Sequence, residues 1–314
     1  MNHEKYLVTG AAGFIGANLT RQLIAEGKDI YPLVRPGSNL WRLESEKFQP
    51  SNLIQVDVTD YQSLREQLLK VKPTHIFHLA SYGIYRNQRD DIKIFNTNAL
   101  GTINLLRVSQ ELDLAAIINT GSVFEYGNLA GAQTENAVGS PRQMYDAAKI
   151  TSTQMAKFFA SEYRLPICTL RLFTPYGPYE DRSRLVSSVI LSMLDGHQPQ
   201  ILSPRSVRDF IYVSDVVSAY IDASQRKNWS GEVINIGSGE PHSTAQVVDQ
   251  IAQVLGIDPP VLDLNIPTVP SDSRSWADIS LAEALLNWRP RETFTWGLEQ
   301  TIQWFINHRH HYQR

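Results

Sequence analysis

Thr9-Gly10-Ala11-Ala12-Gly13-Phe14-Ile15-Gly16 follows a short apolar run, Tyr6-Leu7-Val8. It opens a segment, Phe14 to Glu26, in which Phe14, Ile15, Leu19, Leu23 and Ile24 recur at helical spacing. Strand, glycine-rich turn and helix in that order is the context in which a glycine triplet signals a dinucleotide. A helix N-terminus leaves N–H groups unpaired, and its dipole favours negative charge, so the turn is suited to a pyrophosphate. Gly10 permits the tight turn, Gly13 lets backbone approach the anion, and Gly16 lets helix lie on strand.

Outward from that stretch, strand and helix patterns alternate. Ile30 to Val34, Leu53 to Val56, Thr74 to Leu79, Ala115 to Asn119 and Ile167 to Leu172 read as strands two to six. Between them, Asp60 caps a helix running to about Lys70, and longer helices are predicted over Asp90 to Leu112 and Met144 to Tyr163. Such alternation predicts an α/β fold, a Rossmann-type doubly wound parallel sheet whose ligands sit beyond the carboxyl ends of its strands. After Leu172 the chain is broken by Pro175, Pro178, Pro199, Pro204, Pro259, Pro260, Pro267 and Pro270. Residues 1–174 are read as the dinucleotide-binding domain and 175–314 mainly as a smaller substrate-binding lobe. Phe210 to Val213 and Val233 to Ile236 are strands within that lobe or returning to the first.

The chain's 314 residues suffice for a large core, and 42% hydrophobic with 19% charged residues fits a soluble globular protein. A net charge of −3 gives no bulk electrostatic case for nucleic acid or membrane. The single cysteine, Cys168, lies in an apolar run and reads as a packed thiol, with no cysteine cluster for a metal. Met1 to Lys5 lacks the apolar stretch of a signal peptide, and no apolar run reaches membrane-spanning length, so cytoplasm is the expected location.

The residue after strand two bears on cofactor type. An acidic side chain there accepts from the adenine ribose of NAD; this chain has Arg35-Pro36-Gly37-Ser38. A guanidinium pairs with phosphate in a forked geometry, and Ser38 can add a hydroxyl. NADP(H) is therefore favoured, with NAD(H) possible and a solvated arginine as the alternative. Asp57, ahead of Val58, is placed to accept from an adenine amino group or else to start a turn. Leu79-Ala80-Ser81 would line the cofactor.

Tyr145-Asp146-Ala147-Ala148-Lys149 carries the chemistry, because positions four apart share a helical face. An ammonium beside a phenol stabilises phenolate and lowers a pKa that starts at about 10. Such a tyrosine passes a proton to or from an alcohol oxygen. Ser122, beyond strand five, can polarise the reacting carbonyl or merely cap the loop.

These motifs, with His78-Leu79-Ala80, Asn98-x-x-Gly101-Thr102, Glu125-Tyr126-Gly127, Arg171 with Tyr176-Gly177-Pro178, Arg208-Asp209-Phe210, Asn235-Ile236-Gly237 and Trp276-Ala277-Asp278, resemble the extended short-chain dehydrogenase/reductases. That group comprises NAD(P)-dependent nucleotide-sugar epimerases, dehydratases and ketoreductases. The resemblance runs from Tyr6 to about Pro290. It implies pyrophosphate binding by Gly10, Gly13 and Gly16, with Phe14, Ile15, Val58 and Asn98 also on the cofactor side. It implies catalysis by Ser122, Tyr145 and Lys149. It further implies a nucleotide-diphosphate sugar bound through Ser122, Thr174, Arg208 and Arg274, and a homodimer formed by the two long helices.

Departures from the group's pattern choose among activities. The 4,6-dehydratases carry an Asp-Glu pair directly after the Ser or Thr, where this chain has Val123 and Phe124, which cannot move a proton. C4 epimerases usually have an acidic residue where Arg35 stands and often an asparagine where Thr174 stands. The expected activity is NADPH-dependent reduction of a 4-keto-6-deoxyhexose on a nucleotide. An NAD-dependent C4 epimerase is the alternative, followed by a reductase of non-sugar ketones or aldehydes and by a non-catalytic dinucleotide-binding protein.

Overall fold

The computed structural model describes residues 4–44, 52–85, 87–263 and 274–312. Pro267, Pro270 and Arg86, the last in the loop after strand four, lie outside them.

Seven parallel strands form the main sheet in the order β10-β7-β5-β4-β1-β2-β3. They are β1 (Lys5–Thr9), β2 (Asp29–Val34), β3 (Ile54–Gln55), β4 (His75–His78), β5 (Ala116–Ser122), β7 (Ile167–Leu172) and β10 (Glu232–Ile236). Strands buried on both faces read as near-continuous apolar runs; β7, Ile-Cys-Thr-Leu-Arg-Leu, is buried at all six positions, with its Arg171 paired to Glu125. Cys168 is among them, packed with Ile118 and Ile234 in the core as its apolar run implies. The sheet is wrapped by α1 (Phe14–Ala25), α2 (Tyr61–Val71), α5 (Met144–Tyr163) and α7 (Val213–Gln225) among others. Asp60 caps α2 by accepting from the Ser63 amide, and Asp90 caps the next helix by accepting from Lys93.

That helix is less regular than its sequence suggests. It runs as α3 (Asp91–Phe95), a π-helical turn (Asn96–Leu100) and α4 (Gly101–Ser109). A π-turn widens one loop of the helix, a feature found often beside functional sites. A smaller sheet runs β11 (Pro241–Ser243), β9 (Val207–Tyr212), β12 (Arg274–Ala277) and β6 (Gly131–Gln133), and β8 (Thr174–Tyr176) also pairs with β9. The segment expected as a strand near Phe210 thus belongs to the second sheet. The segment near Val233 returns to the first, pairing Val233 with Thr169. Behind the small sheet, α6 (Leu185–Leu194), α8 (Thr244–Leu255) and α10 (Phe294–His308) share a separate apolar core.

Strand order reverses between β1, which continues to β2, and β4 on its other side. A crevice opens beyond the carboxyl ends at such a switch point. The glycine turn sits there. Gly10 has φ +67°, and a Cβ on it would come within 2.6 Å of the Leu79 carbonyl oxygen. A Cβ on Gly16 would lie 2.3 Å from the Gly10 carbonyl oxygen, so helix and turn meet only because both positions lack side chains. Gly16→Ala is expected to lower the melting temperature and weaken dinucleotide binding at least tenfold, read by calorimetric titration; unchanged binding would show that the turn does not hold the cofactor.

Candidate active site

One cleft of about 1040 Å³ opens over the switch point. Gly10, Gly13, Phe14, Ile15 and Gly16 form its floor, and Arg35, Ser38, Asp57 and Val58 lie on its wall at the β2–β3 end. Leu79, Ala80 and Ser81 continue the wall from β4, and Ser122, Tyr145 and Lys149 close it from β5 and α5. Tyr82 and Tyr85, from the loop after β4, are also on the wall. The Asp57 carboxylate accepts from the Thr59 amide at 2.9 Å and hydroxyl at 2.8 Å, so it fixes its own turn as well as facing the cleft.

Asn98 is a correction. It is buried and does not line the cleft. Its side-chain amide donates to the carbonyls of Tyr82 (2.6 Å) and Ile94 (2.8 Å), while its oxygen accepts from Ser81 Oγ at 2.7 Å. Its polar atoms are thereby committed to the loop after β4, and it positions Ser81 rather than touching a cofactor. His78, likewise, is a core residue. Its ring nitrogens pair with the hydroxyls of Thr9 (2.8 Å) and Thr102 (3.0 Å), and burial pushes its pKa down to about 3.

Around the reacting hydroxyl the electrostatics differ from the expectation that Lys149 would hold Tyr145 acidic. Burial raises Tyr145 to about 12, and the nearby Ser81 and Ser122 side chains and the Arg184 charge only partly offset that rise. Lys149 is itself depressed to about 8 by burial, and its Nζ donates to the Thr120 carbonyl at 2.8 Å. Desolvation disfavours the charged phenolate and outweighs the groups that favour it, so Tyr145 is a weaker acid here than a free phenol.

Val123–Tyr126 forms a 3₁₀ turn capped by Ser122, and this turn decides what the cleft contains. The Phe124 ring meets the Tyr145 ring edge-on at 5.9 Å, filling the space beside the phenol with hydrocarbon. Glu125 faces the other way. It is buried, accepts from the Ser122 amide at 2.7 Å, and pairs with Arg171 at 2.9 Å. The only carboxylate in that turn is thus spent on holding Ser122 in place.

The substrate-side residues divide. Thr174 and Arg208 line a neighbouring cavity of about 340 Å³ that shares Phe124, Phe173 and Arg184 with the main cleft. Arg274 does not join them, which corrects its expected place. It is exposed and faces a separate hollow with Val207 and Trp276. Side chains alternate along a strand: Ser275 of β12 faces the Arg208 cavity, so Arg274 must point to the opposite side. Arg184 went unnoticed in the sequence. It follows Tyr176-Gly177-Pro178 within a charged run, Glu180 to Arg184, which reads as a solvated loop until the fold brings it over the cleft. Among the described residues no cluster of metal-ligating side chains occurs and no helix is long and apolar enough to cross a membrane.

The geometry has counterparts. The chain is 30% identical to UDP-glucose 4-epimerase of Mycolicibacterium smegmatis, with 96% of this chain and 98% of that protein aligned. The solved structure of UDP-glucose 4-epimerase from Thermotoga maritima, with UDP-glucose, superposes with a TM-score of 0.86 at 28% identity, covering 96% of this chain and 99% of the other. That of dTDP-glucose 4,6-dehydratase from Bacillus anthracis, in complex with NAD, gives 0.85 at 26% identity, covering 98% of each. The profile of the NAD dependent epimerase/dehydratase family matches residues 6–237. With the glycine turn at the switch point and Ser122, Tyr145 and Lys149 on one cleft wall, the chain is a member of that family.

Proposed function

We propose that the protein reduces the keto group at C4 of a nucleotide-linked 6-deoxyhexose with NADPH. The observation that carries this reading is Ser122, Tyr145 and Lys149 together on one cleft wall, with Val123 and Phe124 where a dehydrating acid–base pair would stand. The glycine cradle at the N-terminus of α1, which side chains would fill, fits a dinucleotide pyrophosphate. When bound, NADPH supplies the hydride. Ser122 Oγ polarises the carbonyl, Tyr145 gives its proton to the nascent alkoxide, and Lys149 binds ribose hydroxyls while its charge favours the departing proton. A phenol at about 12 suits this direction, since it begins protonated. Arg208 and Thr174, in the smaller lobe, take the diphosphate end of the substrate.

Arg35 and Ser38 support NADPH over NADH. Arg35→Ala is expected to raise the KM for NADPH by 10- to 100-fold and leave that for NADH within about threefold, because a charge-assisted pair with the 2′-phosphate is lost from one cofactor only. Equal effects on both would overturn the preference. Absorbance of NADPH with a dTDP-, CDP- or GDP-linked 4-keto-6-deoxyhexose tests the activity itself.

A second reading, an NAD-dependent 4-epimerase, is favoured by the relatives: the M. smegmatis protein is a UDP-glucose 4-epimerase, and the B. anthracis structure contains NAD. Firmly held NAD extracted from purified protein, with interconversion of UDP-glucose and UDP-galactose, would replace the first reading by this one. We also propose a homodimer. Ile92 (72% exposed), Phe95, Leu100 and Phe158 (46% exposed) present apolar surface on the two long helices; light scattering is expected to give twice the 35.5 kDa chain mass.

A further inference from the structure

The loop after β2 carries Arg35, Ser38 and Arg42 on the cleft wall, and the residues flanking Arg42 are anchored in different cores. Leu43 is 1% exposed and belongs to the core of the main sheet. Trp41 packs instead on the core behind the small sheet. Its indole stacks on His311 (ring centroids 4.6 Å, 27° between planes) and meets Tyr312 edge-on at 5.6 Å and Tyr179 at 5.7 Å. His311 and Tyr312 form the turn that ends the described chain. That turn is held in its own right: Tyr312 Oη donates to the Glu180 carbonyl at 2.8 Å, and Arg182 donates to the Tyr312 carbonyl at 2.9 Å.

The consequence for the cleft runs through Arg42. Its guanidinium carbon lies 4.6 Å from the Trp41 ring centre, and its Nε donates to the Tyr179 carbonyl at 2.8 Å. From the other side Arg21 of α1 donates to the carbonyls of Arg42 (2.8 Å) and Glu44 (2.7 Å). A loop with an exposed Arg35 has many conformations open to it, and a cation that must be ordered on binding loses part of its affinity to that ordering. Trp41 removes the freedom beforehand.

We propose that Trp41, seated on the C-terminal turn, is the positioning residue of the cofactor's phosphate end: it fixes the loop that presents Arg35, Ser38 and Arg42 to the 2′-phosphate. The C-terminal turn is thereby part of the cofactor site although it touches no dinucleotide. This rests on the NADPH reading, and the two fail separately. Calorimetric titration of the wild type with NADPH and NADH comes first; equal affinity would overturn the cofactor reading and the positioning role with it. Given a preference for NADPH, Trp41→Ala is expected to weaken NADPH binding at least tenfold and NADH binding less than threefold, with kcat at saturating NADPH within about threefold. Trp41→Phe, which keeps a flat ring on His311, is expected to restore most of the loss. NADPH binding within twofold of wild type in Trp41→Ala, or an equal loss for both dinucleotides, would overturn the positioning role alone. If Trp41→Ala does not fold, Trp41→Leu keeps apolar bulk without the stacking face, and the same limits decide.

Discussion

Replacing Tyr145 by Phe is expected to lower kcat for NADPH-dependent carbonyl reduction about 1000-fold while leaving the KM for NADPH within about threefold. The ring contacts survive the change. The Phe124 ring, edge-on at 5.9 Å, packs on a phenyl as well as on a phenol, so the cleft keeps its shape. What disappears is the Tyr145 hydroxyl beside the Ser81 and Ser122 side chains, and general acid catalysis of the kind proposed for it is worth roughly 10²–10⁴-fold. An effect on kcat with little on KM is the signature of a group used mainly in the transition state. The pH profile adds an independent check. Tyr145, pushed up to about 12 by burial, stays protonated through the working range. Lys149, pushed down to about 8 by burial, does not. kcat/KM is therefore expected to fall as pH rises through about 8, with Lys149 losing its charge, and Lys149→Met should remove that limb. Turnover of Tyr145→Phe within tenfold of wild type would exclude the tyrosine as the acid, whichever substrate is used.

The second large effect lies behind the site. Arg171→Met is expected to destabilise the fold by about 3–5 kcal/mol, the range for stripping one partner from a buried ion pair. For a chain of 314 residues, whose unfolding entropy scales with length, that corresponds to a melting temperature lower by roughly 5–8 °C. Arg171 donates twice to Glu125 Oε2, at 2.9 and 3.2 Å, and both residues are buried. Without the guanidinium the carboxylate keeps the Ser122 amide as its partner and lies close to a low-dielectric core. Ser122 then loses a firm anchor, so kcat should drop about tenfold beyond any loss of folded protein. Adding Glu125→Gln removes the stranded charge and should recover a good part of the melting temperature but not of kcat. A melting temperature within 2 °C of wild type for Arg171→Met would show that the pair is dispensable.

The main sheet and the ends of the cleft are written in local patterns. Tyr6 to Gly16 specifies strand, turn and helix through patterns that are local, and the apolar runs of β4, β5 and β7 specify buried parallel strands in the same way. Tyr145 and Lys149 share a helix face wherever that helix goes. Features that depend on which distant groups meet are visible only once the chain is folded. Asn98 reads as a cofactor ligand but is spent on Tyr82, Ile94 and Ser81. Arg274 reads as a substrate cation, yet its position on β12 turns it away from Arg208. Arg184 and Trp41 carry no motif at all: the fold of Glu180–Arg184 brings Arg184 to the cleft, and the C-terminal turn packs against Trp41. The acidity of Tyr145 reversed for the same reason: a helical spacing says that a cation is near, whereas desolvation depends on everything else packed around the hydroxyl, which no local pattern encodes.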